Sequence, residues 1–234
     1  MRACYPFLSP SVRFRVLLNL VALSFALITT CANASPTSPI EGAEYTMLST
    51  PQGTTSAGRK VEVIEFFMYH CPACYALEPQ LLNWIKKQGD NIQFKRIHLP
   101  HRGEDDVEAH LFLTLEALNL EGSMHAKILQ YWHVQHHQLT TDEDNIDWAV
   151  SNGIDKTQFV TTYRSFSVLS KLHGLLRLAQ SYQVTSTPTL VIDGRFVTDP
   201  GLIQNSNPTV PAADLDQAML QVADWLVLKA QAGK

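Results

Sequence analysis

Apolar residues recur along this chain with two different periods, and the switches between them divide it into elements. Val61 to Phe67 is almost continuously apolar, the pattern of a central strand covered on both faces. Leu77, Leu81, Trp84 and Ile85 follow at helical spacing, and Ile92 to Leu99 reads as the next strand. From Glu104 to Tyr182 nothing reads as a strand. Val107, Leu111, Leu115 and Leu118 mark one helix there, Ile128 to His137 belongs to a second, and Asp142 to Val150 is short and acid-capped. Asp155 can cap Lys156 to Tyr163, and Val168, Leu172, Leu175, Leu176 and Ala179 form the apolar stripe of a longer helix. Strands return at Thr189 to Ile192 and Phe196 to Thr198, on either side of Asp193-Gly194, a strong hairpin-turn signal. A loop with Pro200, Pro208 and Pro211 leads to a last helix, with Leu215, Met219, Val222 and Leu226 on one face. Upstream, Ser35 to Gly58 is rich in Ser, Thr, Pro and Gly and holds one short strand candidate, Tyr45 to Leu48. The order β, β, α, β, helical block, β-hairpin, α predicts an α/β chain.

The first 34 residues follow another pattern. Arg13 and Arg15 precede an almost uncharged apolar run from Val16 to Thr30, and Ala32-Asn33-Ala34 supplies the small-x-small site of a signal peptidase. A Sec-type signal peptide cut after Ala34 is expected, with a mature start at Ser35. The run is shorter than the ~20 apolar residues that span a bilayer, which argues against a membrane anchor. Thr30 fits poorly before a lipoprotein cysteine at Cys31. Removing Arg2, Arg13 and Arg15 with this segment takes the formal charge from −4 to −7, so nothing in the charge calls for nucleic acid as a partner. With 45% hydrophobic and 17% charged residues the chain is neither disordered nor a coiled coil. Of four cysteines, Cys4 and Cys31 go with the leader and Cys71 and Cys74 remain. In an oxidising compartment such a pair is a disulfide or a redox centre.

Cys71-Pro72-Ala73-Cys74 falls where the first long strand gives way to a helix. A cysteine at a helix start faces free N–H groups and the positive end of the helix dipole, which favour its thiolate. The second cysteine lies almost one turn on and can close a short disulfide, and Pro72 suits the first turn, where its missing N–H is not needed. Three readings are open: a redox centre, a structural disulfide, or half of a zinc site. Zinc needs about four ligands, and there is no second Cys-x-x-Cys. His133, His136 and His137 could share one helix face, without an acidic or cysteine partner nearby.

Glu65 to Tyr75, with His70-Cys71-Pro72-Ala73-Cys74 at its centre, resembles the active-site segment of the DsbA-type periplasmic thiol:disulfide interchange proteins, and Ser186-Thr187-Pro188-Thr189 resembles their cis-proline loop. The resemblance extends over the whole mature chain and implies an α/β thioredoxin fold with an inserted all-helical domain. Its parts are a signal peptide at 1–34, a first thioredoxin-like part at 35–102 with a linker at 35–59, the helical insertion at 103–183 and a second thioredoxin-like part at 184–234. It further implies that Cys71 is the exposed nucleophile and Cys74 its buried partner, that Pro188 is cis, and that Thr187 offers backbone hydrogen bonds to an extended substrate. The implied function is that of a periplasmic, monomeric oxidase of folding exported proteins. It would need no cofactor and no metal, and would be reoxidised by a DsbB-like quinone-linked membrane protein. One departure stands out. The best-studied members have His where this chain has Ala73, and alanine donates no hydrogen bond to a thiolate; His70, on the other side of Cys71, is the residue that could compensate.

Glu65 interrupts the apolar strand on the face of Val61, Val63 and Phe67, where a carboxylate is costly unless paired. Lys95, in the next strand, is its expected partner, and a proton-transfer role beneath Cys74 is its expected function. Glu78 reads as a helix-surface residue and Pro79 as the cause of a helix kink. Two other functions remain to be separated from the oxidase. One is a disulfide reductase or isomerase of the same fold; isomerases of the DsbC kind carry an N-terminal dimerisation domain, for which there is little room ahead of Val61. The other is a non-enzymatic metal-binding Cys-x-x-Cys module.

Overall fold

In the computed structural model, residues 35–233 are described. The expected signal peptide, with Cys4 and Cys31, lies outside them. Five strands form one mixed sheet in the order β1-β5-β4-β2-β3: β1 (Thr46–Met47), β2 (Val61–Phe67), β3 (Ile92–His98), β4 (Thr189–Ile192) and β5 (Phe196–Thr198). β2 and β3 are parallel, joined through helix α1 (Pro72–Gln88), and the other pairings are antiparallel. The helices α2 (Val107–Ala117), α3 (Glu121–His133), α4 (Asp142–Ser151), α5 (Lys156–Tyr163) and α6 (Phe166–Ser181) come between β3 and β4, as the thioredoxin fold with a helical insertion requires. α7 (Pro200–Ser206) and α8 (Leu215–Ala232) close the chain.

β2 is buried along its whole length, and its alternation divides the interior into two cores. Val61 and Val63 join Leu190 and Ile192 of β4 in a core with Leu77, Leu81 and Trp84 of α1 and Met219, Val222 and Leu226 of α8. Ile64 and Phe66 face the other way, into a second core with Leu111 and Leu115 of α2, Ile128 and Leu129 of α3 and Leu172 and Leu175 of α6. A strand sandwiched between two cores has no solvent face, so its two glutamates are both buried.

The helical block is delimited by side-chain caps. Asp106 accepts from the Ala109 N–H, Asp155 from Gln158 and Ser165 from Val168, while Thr141 and Asp144 form a reciprocal capping box. At the hairpin turn both Asp193 (φ 55°) and Gly194 (φ 61°) are left-handed, as a two-residue turn of the primed type requires. A Cβ on Gly194 would collide with the Gln52 carbonyl, because the preceding arm packs against the turn there, with the Gln52 N–H donating to the Gly194 carbonyl at 2.8 Å.

Three expectations change. The second helix of the block begins at Glu121 and stops at His133, with His136 in a left-handed turn (φ 57°), so His133, His136 and His137 share no helix face. The proline-rich loop holds the short helix α7, because Asp199 caps it through the Leu202 N–H and Pro200 occupies its first turn. The first strand shrinks to two residues, paired with β5.

Leu111 is fully buried and Phe166 is 87% exposed. Leu111→Ala is expected to cost about 2–5 kcal/mol of stability, and Phe166→Ala less than about 0.5 kcal/mol. Denaturant titrations of both variants, with the slope held common, measure the difference.

Candidate active site

The site lies where β2 ends and α1 begins. Cys71 is the N-cap of α1, with extended backbone, and Pro72 occupies the first turn. The helix geometry turns the Cys74 N–H onto the Cys71 sulfur at 3.3 Å. Thr187, which precedes Pro188 through a cis peptide bond, brings its carbonyl to 3.6 Å from the same sulfur on the other side. The Thr187 hydroxyl oxygen is buried without a hydrogen-bond partner among the described residues. Both cysteines are free thiols and both are buried, Cys71 at 7% exposure and Cys74 at 2%, so Cys71 is the less buried of the two and not the exposed sulfur that the resemblance implies. Pro72 and Ala73 are exposed beside them.

The two sulfurs are electrostatically unlike. The Cys71 thiol is lowered to about 5, through its hydrogen bond with Cys74 above all, assisted by Thr187 and by the backbone N–H groups of Cys74 and Ala73, which together outweigh burial. The Cys74 thiol is pushed up, first by its hydrogen bond to Cys71, then by burial and by the charges of Cys71 and Glu65. One sulfur therefore holds negative charge and the other holds the proton.

Glu65 is buried in β2, and its partner is Arg96, with Nε 2.9 Å from Oε2. Lys95 is not the partner. The parallel register sets Glu65 opposite Arg96 and Ile64 opposite Lys95, so alternation sends Lys95 to the other face, where it meets Glu62 at 3.1 Å. Arg96 also reaches Glu78 at 3.0 Å and Glu121 at 3.4 Å. Glu78 is therefore not a surface residue; it is buried in this cluster, 3.6 Å from His125. One guanidinium faces three carboxylates, and Glu65, at 1% exposure the most deeply buried of them, carries the imbalance. Its carboxyl is raised to about 7 by burial, with Arg96 opposing and the Glu78 charge adding to the rise. Glu78 is lowered despite burial, held by His125 and Arg96.

His70 donates its backbone N–H to Glu108 at 3.1 Å and sets Nδ1 2.9 Å from the same carboxylate. Its imidazole is raised by this hydrogen bond, against burial, with the Glu108 and Cys71 charges helping. Glu108 in turn is lowered to about 2; its burial is outweighed by hydrogen bonds from His70 and His98 and by their charge. His133 reaches the Tyr69 carbonyl through Nε2 at 2.9 Å and stacks on Tyr75. Among the described residues, Cys71 and Cys74 gather no third metal ligand.

Arg96, Glu108, Glu121 and His125 are site neighbours that sequence reasoning missed. Only Arg96 had a readable signal: it stands between Phe94 and Ile97 in a strand that pairs with β2 in register.

Comparisons with known proteins bear on the chain as a whole. A thioredoxin family model matches residues 48–206. The thiol:disulfide interchange protein DsbA of Burkholderia cepacia is 35% identical over 92% of this chain and 97% of its own length. That of Azotobacter vinelandii is 34% identical over 87% of this chain and 90% of its own length. The crystal structure of Pseudomonas aeruginosa DsbA superposes with a TM-score of 0.70 at 34% identity, covering 82% of this chain and 94% of that one. The sequence relationship thus runs over nearly the full length, and the chain belongs to the DsbA family of thiol:disulfide interchange proteins, a family of disulfide oxidoreductases.

Proposed function

We propose that this protein oxidises cysteines of folding exported proteins by donating a disulfide between Cys71 and Cys74, with Cys71 as the attacked sulfur. The observation that carries this reading is the convergence of the Cys74 N–H and the Thr187 carbonyl on the Cys71 sulfur, together with the low pKa of that thiol. A client thiolate attacks Cys71, the Cys71–Cys74 bond breaks, and Cys74 leaves with the electron pair. A second client thiolate attacks the client sulfur of the mixed disulfide and Cys71 leaves as thiolate. Two electrons pass from the client's thiols to the cysteine pair, which ends reduced. The second step favours the forward direction because a low-pKa thiol is a good leaving group, and this supports an oxidase over a reductase of the same fold.

Cys74, whose thiol is pushed up, needs a proton when it leaves, and Glu65, raised to about 7, is the group suited to hand it one. His70 is the tuning residue that serves in place of the absent histidine at Ala73, an imidazole beside Cys71 held by Glu108, whose hydrogen bond raises its pKa. Pro72 leaves the helix start open, and Thr187 and Pro188 present backbone to an extended client by strand addition. The protein acts as a monomer in the periplasm after removal of residues 1–34, carries its site on a thioredoxin-like body of 35–102 and 184–234 with helices from 103–183, and is reoxidised by a DsbB-like quinone-linked membrane protein.

Alkylation of the reduced protein at pH 7 is expected at Cys71 and not at Cys74, and Cys74→Ser is expected to accumulate mixed disulfides with clients while Cys71→Ser accumulates none. Peptide mapping that finds the label on Cys74 reverses the assignment.

The depressed Cys71 pKa also sets a pH dependence. Its stabilisation of the reduced fold is fully present above the unfolded thiol value of about 8.5 and is lost as pH falls through about 5. The reduced form should therefore gain on the oxidised form by up to about 1.4 kcal/mol per pH unit across that window. Paired denaturant midpoints of the two redox forms at several pH values measure this gain; midpoints that run parallel with pH mean that Cys71 is an ordinary thiol.

Glu65 has the opposite sign. Its carboxyl binds its proton more tightly folded than unfolded, so its contribution is present below about 4.3 and is lost as pH rises through about 7. Glu65→Gln should raise stability at pH 8 by on the order of 2 kcal/mol and leave it nearly unchanged at pH 4. A midpoint at pH 8 equal to or below the parent's contradicts a raised Glu65 pKa.

A further inference from the structure

A cluster of nitrogen and oxygen donors stands beside the thiols, made by residues from two different segments of the chain. His70 ends the loop after β2, His101 lies in the loop after β3, and Glu108 lies in the first turn of α2. One ligand atom from each falls within 4.8 Å of the other two. We propose that His70, His101 and Glu108 form a binding site for a divalent transition-metal cation of the zinc class.

The ligand set comes first. Two imidazoles and a carboxylate are the donors of three-ligand zinc sites, in which water takes the fourth position. Without a thiolate among them the set suits zinc, nickel, cobalt or copper(II) better than copper(I).

The support behind the ligands comes second. His101 Nδ1 is 2.9 Å from Asp106 Oδ2, which leaves Nε2 as the donor; a carboxylate behind a histidine is the usual outer partner of a metal-bound imidazole. Asp106 is fully buried and also accepts the backbone N–H groups of His101, Arg102 and Ala109. It thereby locks the His101 loop onto the start of α2, the helix that carries Glu108. Glu108 is fixed in turn by the His70 N–H at 3.1 Å and by His98 Nε2 at 3.6 Å.

Room to close comes third. Zinc–ligand distances are about 2.0–2.2 Å, so the three donors must draw together. The His70 and His101 side chains are each 30% exposed and their rings lie 4.2 Å apart, so both can turn, while Glu108 at 4% stays in place. Arg102 Nε, 3.2 Å from His101 Nε2, belongs to an exposed side chain that withdraws into solvent. The ion then bridges the contact that His70 and Glu108 otherwise make directly.

The oxidised protein gives the clean test, because a closed disulfide leaves no thiolate to compete for metal. Titration of Zn²⁺ against a chromophoric chelator should give one ion per chain. His101→Ala and Glu108→Gln should each weaken binding by about tenfold or more, while His137→Ala, which removes a histidine outside the cluster, should not. Metal-free melting curves show whether each variant is folded. Co²⁺ added to the unmodified protein should broaden the ring signals of His70 and His101 in proton NMR and spare those of His136 and His137, a readout that needs no variant. Unaltered zinc affinity in folded His101→Ala, or broadening centred on other histidines, overturns the site.

Discussion

The free N–H groups at the start of α1 and the sulfur that caps them form the contact on which the chemistry of this fold depends. A helix start must satisfy its first donors, and here a cysteine side chain does so in place of the usual serine or aspartate. Satisfying the helix and stabilising the thiolate are thus one interaction. The charge is kept on Cys71 because Cys74, a turn further in, is buried and holds its proton. The doubly covered β2 positions this junction, and the loop before β4 adds the Thr187 carbonyl to the sulfur from the other side.

A second constraint lies beneath it. Strand β2 is buried on both faces, yet it carries Glu62 and Glu65, so each needs a cation from the neighbouring strand. The parallel register supplies Lys95 on one face and Arg96 on the other. Lys95 meets Glu62, which also accepts from the Thr55 N–H and hydroxyl, whereas Arg96 serves Glu65, Glu78 and Glu121 together. An acid-rich cluster around a single guanidinium, buried as this one is, raises the Glu65 carboxyl to about 7 and gives the interior a group of intermediate acidity.

Much of this was legible in the residues. The continuous apolar run at Val61–Phe67, the Asp193-Gly194 turn and the helical stripes of α2, α6 and α8 each reflect a period imposed by burial on one or two faces, and such periods survive in a bare sequence. The Cys-x-x-Cys position and the Thr187-Pro188 loop were legible for the same local reason. Pairings across strands were not. Whether Lys95 or Arg96 meets Glu65 depends on a register shift of one residue, which inverts the face, and composition does not encode that shift. Glu78 misled because a glutamate on an amphipathic helix ordinarily faces water; it is buried by α3, an element far along the chain that brings His125 and Glu121 to the same cluster. The helix after Asp199 was hidden by prolines that normally signal loops, although one of them starts it.

The polypeptide passes between the sheet and the helical block at two places, after β3 through 99–106 and before β4 through 182–188. The first crossing carries His101, and the second carries Thr187. Cys71 stands against the second, 3.6 Å from the Thr187 carbonyl, and the loop that carries it is tied to the block by Glu108 and His133. The segment before β4 is thus at once a link between the sheet and the helical block and the backbone that flanks the reactive sulfur.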